Sequence, residues 1–348
     1  MKKFLKILLT GLLCVVAAAV LLFAYLTITE FKPAPVEELN VVSGGSSAAA
    51  PKELKLLSWN IGYAGLGKDS DFFMDGGTHT ASADKATVNK YLTGIRGVID
   101  GDDYDFVMLQ EVDTNSTRTY GIDETKPLAL SNSVHALNYS CNFVPFPLPP
   151  IGKVHSGLFT TSDHTIERAE RISLPCPFSW PVSTANLKRC LLVSYIPVEG
   201  SDNYLVLVNL HLEAYDDGEG KIAQTKQLNE FIESEYKKGN YVIAGGDFNQ
   251  VFPDTLSIYP NEHTDLWAVG ALSEDVLPEG FSFAFDPTTP TCRLLNQPYD
   301  PSDTVNTQYY VIDGLILSPN VELVSAQTLD VGFENSDHNP VAVSVVLK

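Results

Sequence analysis

Six short phrases set carboxylate, amide or imidazole groups against apolar runs: Trp59-Asn60, Leu109-Gln110-Glu111, Asn209-Leu210-His211, Gly246-Asp247-Phe248-Asn249, Ile312-Asp313 and Ser336-Asp337-His338. An ionised carboxylate at the end of an apolar strand is costly unless it is paired or bound to a cation. Mg²⁺ takes one or two protein carboxylates and keeps its other positions for water and phosphate oxygens. An Asp can also orient or deprotonate a water, and an Asn amide can donate to a phosphoryl oxygen. These types together suit one acidic site for a hard divalent cation and a phosphate ester. Singly, each residue has an ordinary structural explanation, since Asp and Asn are common turn residues. The weight lies in their recurrence, in this order, across residues 59–338.

Strands are expected at 54–59, 106–110, 157–161, 190–196, 204–211, 241–244, 311–318 and 341–347, which are short, apolar and bounded by Gly, Pro or Asp. Helical periodicity marks 84–99 and 220–236. Both faces of 54–59 are apolar, so this strand should be buried on both sides. Alternation puts Asn209 and His211 on one face, and Asp247 with Asn249 on one face if the chain stays extended. By the same rule Asp337 and His338 point to opposite sides. Strands with few long helices suit two packed sheets flanked by helices.

The chain has 348 residues, of which 43 are acidic and 23 basic, for a net charge of −20. Such a surface repels long polyanions unless a basic groove or bound cations intervene. Beyond the N-terminus the only Lys/Arg doublets are Lys188-Arg189 and Lys237-Lys238. Residues 4–27 are almost wholly apolar and follow Lys2 and Lys3. Roughly 20 such residues cross a bilayer, and the run exceeds the usual apolar core of a removed signal. An uncleaved, single-pass anchor over 1–29 is expected, and the leading lysines would leave the C-terminal bulk outside the cytoplasm. Residues 30–52, with Gly44-Gly45-Ser46-Ser47 and three prolines, read as a flexible linker, and 53–348 as one catalytic domain. Cys141, Cys176, Cys190 and Cys292 permit up to two disulfides in three pairings, and no CxxC suggests zinc.

The ordered set of phrases resembles the endonuclease/exonuclease/phosphatase superfamily, which includes DNase I-like nucleases, abasic-site endonucleases, neutral sphingomyelinases and inositol-polyphosphate 5-phosphatases. Its most specific pieces are Gly246-Asp247-Phe248-Asn249 and Ser336-Asp337-His338. The resemblance implies a four-layer α/β sandwich, two packed mixed β-sheets flanked by helices, and Mg²⁺-dependent phosphoester cleavage, with Mn²⁺ able to substitute. It makes Glu111 the principal metal ligand, with Asn60 and Asp337 in the metal and phosphate shell. His338 would contact the scissile phosphate and Asp313 would orient it. Asp247 would activate the attacking water, with Asn249 and His211 beside the phosphate. His155 and Arg118 are further candidates for substrate contact, and the loop 71–77 either grips substrate with its two aromatics or packs on its own domain. The expected protein is a monomeric, membrane-tethered phosphodiesterase or phosphatase acting outside the cytoplasm, on a phospholipid head group or a small phosphoester. The alternatives are a surface nuclease acting on DNA or RNA, which the charge disfavours, and an inactive surface-binding domain, which the intact set of polar residues disfavours.

Overall fold

A strand that is apolar on both faces needs a layer on each side, and the chain supplies them. The computed structural model describes residues 1–45, 48–216, 218–303 and 305–348. One seven-stranded sheet runs in spatial order Val321–Thr328, Val341–Leu347, Glu53–Asn60, Phe106–Asp113, Gly152–Ser162, Asn132–Val144 and Val42–Ser43. The other, also of seven strands, runs Val36–Leu39, Arg168–Ser173, Cys190–Pro197, Tyr204–His211, Tyr241–Asp247, Asp313–Leu317 and Ser282–Ala284. Leu56, Met108 and Leu158 of the first sheet meet Leu192, Leu207, Ile243 and Leu315 of the second in a common core. The outer face of the first sheet is covered by the helix Lys85–Ile99 through Val88, Tyr91, Leu92 and Ile95, packed on Leu57 and Trp59. The helix Glu219–Lys237 covers the second through Leu228 and Ile232, packed on Val206, Val208 and Val242. This is the expected four-layer α/β sandwich.

Register explains why the polar tips gather. Glu53–Asn60 runs parallel to Phe106–Asp113, with Asn60 opposite Gln110. In the other sheet Asp247 lies opposite His211 on one neighbour and opposite Asp313 on the other. Strands that pair in this way present their polar ends at one edge of the sandwich.

A polar tie crosses the core beneath that edge. The Gln110 amide donates to Asn209 Oδ1 at 2.8 Å, and Asn209 Nδ2 donates to the carbonyls of Leu109 and Phe159, each at 3.1 Å. Asn209 thus faces the opposite sheet and is fully buried. Asn209→Leu should destabilise the fold by about 1–3 kcal/mol, because it removes the shortest of the Gln110 amide's three contacts and takes a donor from the Leu109 and Phe159 carbonyls. Urea unfolding measures this, and an unchanged midpoint would mean the tie contributes nothing.

Residues 30–52 differ from the flexible linker expected there. Val36–Leu39 pairs antiparallel with Arg168–Ser173, Val42–Ser43 pairs with Asn132–Val144, and Ala50 is fully buried. Open sheet edges offer unpaired N–H and C=O groups, and this segment satisfies some of them on both sheets. Ser46 and Ser47 lie outside the described residues. All five cysteines are unpaired. Before these strands, Lys2–Ile28 forms a single helix long and apolar enough to span a membrane.

Candidate active site

The site is built outward from Asn60. Its Oδ1 accepts the Gly62 N–H at 3.1 Å, which fixes the amide so that Nδ2 faces the site. Nδ2 donates to Glu111 Oε1 at 3.2 Å and to Asp247 Oδ2 at 3.0 Å, and lies 3.5 Å from His338 Nε2. One amide therefore touches groups from three distant parts of the chain. An amide nitrogen cannot ligate a cation, so in this orientation Asn60 holds the carboxylates of the metal and phosphate shell in which the resemblance puts it. The neighbouring Trp59 also contributes, since its indole donates to the His338 carbonyl at 2.8 Å.

Glu111 reaches the cluster through an irregularity. The pairing of Phe106–Asp113 with Gly152–Ser162 shifts register between Leu109 and Val112, and Glu111 has φ +56°. Such a bulge re-aims a side chain at the rim of a sheet. Asn249 bends similarly, with φ +50°. Its N–H donates to Asp247 Oδ1 at 2.8 Å and its side chain to the Leu212 carbonyl at 2.9 Å. The extended geometry expected after Asp247 is replaced by a turn, although Asn249 still lines the cavity. Gly246 permits this approach, because a Cβ there would collide with the Leu210 carbonyl.

Asp337 and His338, expected on opposite sides of the chain, line the same cavity, because residues 334–337 bend before His338 bridges to Cys292. His338 Nδ1 donates to Asp313 Oδ2 at 2.8 Å, and its Nε2 lies 3.8 Å from Asp247 Oδ2. Burial would depress the His338 imidazolium, but the nearby carboxylates, Asp313 foremost, lift its pKa well above the usual value. His211 Nε2 is 3.5 Å from Asp247 Oδ2, yet burial, with Arg189 and His338 adding to it, pushes its pKa well below the usual value and keeps it neutral. Burial and then the Asp313 charge raise Asp247 to about 7. Burial also raises Asp337 to about 6, with Glu111 adding to it.

Arg118 touches the cavity wall, but its guanidinium grips Asp113 through Nη2 at 2.9 Å and Nε at 3.0 Å and stacks 3.6 Å over the Tyr63 ring. Its charge is already matched. His155 does not line the cavity, whereas its neighbour Ser156 does. The sequence assigns no site role to Tyr63 or Cys292, which lack a distinctive local pattern, and it singles out Ser336 only as part of its phrase. Ser336 Oγ donates to the Asn60 carbonyl at 2.8 Å. The loop 71–77 proves to be wall: Phe72, Phe73, Met74 and Asp75 line the cavity, and Asp75 accepts the Tyr215 hydroxyl at 2.8 Å.

Glu111, Asp247 and Asp337 have no Lys or Arg within salt-bridge distance among the described residues, and Asp313 Oδ1 is buried without a partner. Four carboxylates gathered about a single imidazolium, that of His338, fit a hard divalent cation. A linked prediction follows for stability. In the metal-free protein Asp247 and Asp337 titrate above their ordinary 3.8, so the folded state holds protons that the unfolded chain has released. Stability should therefore fall as pH rises from about 4 to about 7, and a bound cation should relieve that loss. Mg²⁺ is expected to raise Tm more at pH 8 than at pH 5.5. Equal shifts at both would place the cation away from these carboxylates.

A two-sheet sandwich with this polar edge defines a class of phosphoester hydrolases. The model of the endonuclease/exonuclease/phosphatase family matches residues 57–338, and the chain belongs to that family. Its members hydrolyse phosphoester bonds, as this chain does, and generally depend on a divalent metal. A solved family structure from Beutenbergia cavernae shares 18% identity at a TM-score of 0.58, covering 85% of this chain and 72% of that one. One from Bacteroides vulgatus shares 15% at 0.54, covering 85% and 99%. A functionally unknown conserved protein from Enterococcus faecalis shares 13% at 0.54, covering 85% and 100%. These likenesses concern the fold. No curated protein matches the chain.

Proposed function

We propose that this protein is a Mg²⁺-dependent phosphodiesterase, with Mn²⁺ able to substitute, held at the outer face of a membrane by its N-terminal helix. The carrying observation is the Asn60 amide, within 3.5 Å of Glu111, Asp247 and His338 together. Glu111 and Asp337 would hold the cation, which supplies charge stabilisation at the phosphoryl oxygens. Asp247 takes a proton from the attacking water, whose oxygen enters in line with the departing one. The His338 imidazolium, held by Asp313, donates to a phosphoryl oxygen, and Asn249 and neutral His211 complete the polar wall. Lys2, Lys3 and Lys6 before the apolar run support an extracytoplasmic domain.

Nuclease action is less well supported. Of the arginines at the cavity, Arg118 is matched to Asp113 and Arg189 to Glu213 at 3.2 Å, and Arg293 donates to backbone carbonyls. Among the described residues, no arginine of the cavity is left free to track a phosphate backbone. The test is hydrolysis of bis-p-nitrophenyl phosphate by the full chain. Activity should appear with Mg²⁺, vanish with EDTA and return on adding Mg²⁺. Turnover indifferent to EDTA would overturn the metal-dependent reading.

A further inference from the structure

The last turns of the N-terminal helix form part of the wall of the catalytic cavity. Phe23 and Leu26 line the same cavity, of about 620 Å³, as Glu111, Asp247 and His338. The junction is a packed one. Leu22 and Leu26 join Cys141, Val144 and Val154 in one apolar cluster. The Trp180 indole donates to Thr27 Oγ1 at 3.0 Å, with its ring 6.0 Å from that of Phe23. Just beyond the helix, Glu30 pairs with Lys188 at 3.0 Å, both side chains largely withdrawn from water.

Helix arithmetic sets the depth of this junction. A rise of 1.5 Å per residue crosses a hydrocarbon layer of roughly 30 Å in about 20 residues. Counted from Lys6, the last leading lysine, that layer ends near Leu26. Domain residues touching Phe23 and Leu26 are therefore level with the membrane interface, where Trp and Tyr concentrate. The chain around them suits that depth. No charged residue occurs in 141–152 or in 172–187, in a protein with 43 acidic and 23 basic residues. At the tips of these loops Phe146 is 69% exposed, Leu148 85%, Trp180 60% and Val182 56%. Large apolar side chains this exposed and this close together mark an interaction surface.

We propose that these two loops seat the cavity mouth in the bilayer, and that the substrate is a membrane lipid carrying a phosphodiester, admitted sideways from the leaflet. This assignment rests on the phosphodiesterase reading above. The lipid's hydrocarbon lies along the apolar wall of Phe23, Leu26, Phe72, Phe73 and Phe146, and its phosphate reaches the carboxylate end. Phe73 and Phe146, 6.0 Å apart, join the 71–77 loop to the seating loop, so the wall is continuous. In the reaction water's oxygen bonds to phosphorus and its proton passes to Asp247. The P–O bond to the departing alcohol breaks with its electron pair staying on that oxygen, which takes a proton from solvent water while Asp247 returns its proton to solvent. The products are an alcohol and a phosphomonoester, and no other reactant is consumed.

The experiment uses the full chain in nanodiscs of phosphatidylcholine, phosphatidylethanolamine, phosphatidylglycerol and sphingomyelin, with products read by phosphorus NMR. Bis-p-nitrophenyl phosphate and soluble glycerophosphocholine serve as comparisons. At least one lipid should be converted ten times or more faster than glycerophosphocholine. The double variant Leu148→Asp/Trp180→Ser should lower the ratio of lipid to chromogenic turnover at least tenfold. Chromogenic turnover without conversion of any lipid, or with glycerophosphocholine equally fast, would overturn the lipid assignment alone. A preparation inert to every substrate would overturn the phosphodiesterase reading and the substrate assignment with it. Seating is then read separately. Trp59 is buried and Trp267 lies inside the cavity, so brominated lipids should quench the exposed Trp180 most strongly, and Trp180→Phe should remove most of that quenching. Trp180 emission quenched by aqueous iodide but not by brominated lipid would refute the seating.

Discussion

Asp247→Asn is expected to lower kcat by about 10³-fold, within the 10²–10⁴ typical of removing a general base. The side chain keeps its size, so the cavity should keep its shape. What is lost is the ability to take a proton from water. Asp247 Oδ1 accepts the Asn249 N–H and Oδ2 accepts the Asn60 amide, so an Asn must present an NH₂ to one of these donors. That mismatch destabilises, but removal of a buried charge acts the other way. Burial has already raised Asp247 to about 7, so its ionised form weakens the metal-free fold above that pH. The variant should therefore melt at or above the wild-type temperature at pH 8 without metal, while being almost inactive with it. Steady-state kinetics and a thermal melt of one preparation decide the matter. A kcat within tenfold of wild type would remove Asp247 from the role of base.

Much of this site could be read from the chain because its polar residues sit at the ends of apolar runs. Tyr204–His211 and Tyr241–Asp247 announce themselves by runs of β-branched and aliphatic residues, and Glu53–Asn60 by Leu and Trp on both faces, as burial on both faces demands. Both long domain helices were legible from periodicity for the related reason that each buries one face. Asn132–Val144 was not, because Asn132, His135, Asn138 and Asn142 interrupt any regular pattern. Val321–Thr328 was hidden as well: it is an edge strand with most of its residues at least partly exposed, so its sequence need not be apolar. The docking of 36–39 depends on an edge made by residues 168–173, and no local feature announces it. The backbone bends at Glu111 and Asn249 were equally silent, since positive φ at residues other than Gly has no local signature of its own. Alternation therefore identified which side chains the strands deliver, but not how the chain turns after delivering them.

The cavity wall was the least legible part for a further reason. Phe23, Phe72, Phe146 and Trp267 come from four separate segments, and an isolated aromatic reads as ordinary core. Only the packing of the N-terminal helix against residues 141–154 makes a membrane-length apolar helix and the cavity parts of one surface. The 145–150 stretch, read by itself, is an ordinary proline-rich surface loop.

Asp313→Asn should lower kcat by about 10²-fold or more and move the alkaline limb of the rate profile to lower pH. Asp313 is a positioning residue, acting through the His338 Nδ1–H that it accepts at 2.8 Å. The groups facing that imidazole are Asp313, Cys292, Asp337, Asp247 and His211, and burial alone would strip its proton. Asp313 is the strongest of the charges that prevent this. Its pKa held high, His338 stays an imidazolium through neutral pH and loses activity only as pH climbs through that raised value. An Asn keeps an acceptor for Nδ1–H but supplies no charge, so the proton leaves at lower pH and the donor to the phosphoryl oxygen is lost. A substitution that acted merely through the fold would lower the whole profile without shifting its alkaline limb. Rate profiles of both proteins from pH 5 to 10 at saturating Mg²⁺ separate these outcomes, and coincident limbs would show that Asp313 does not govern the charge on His338.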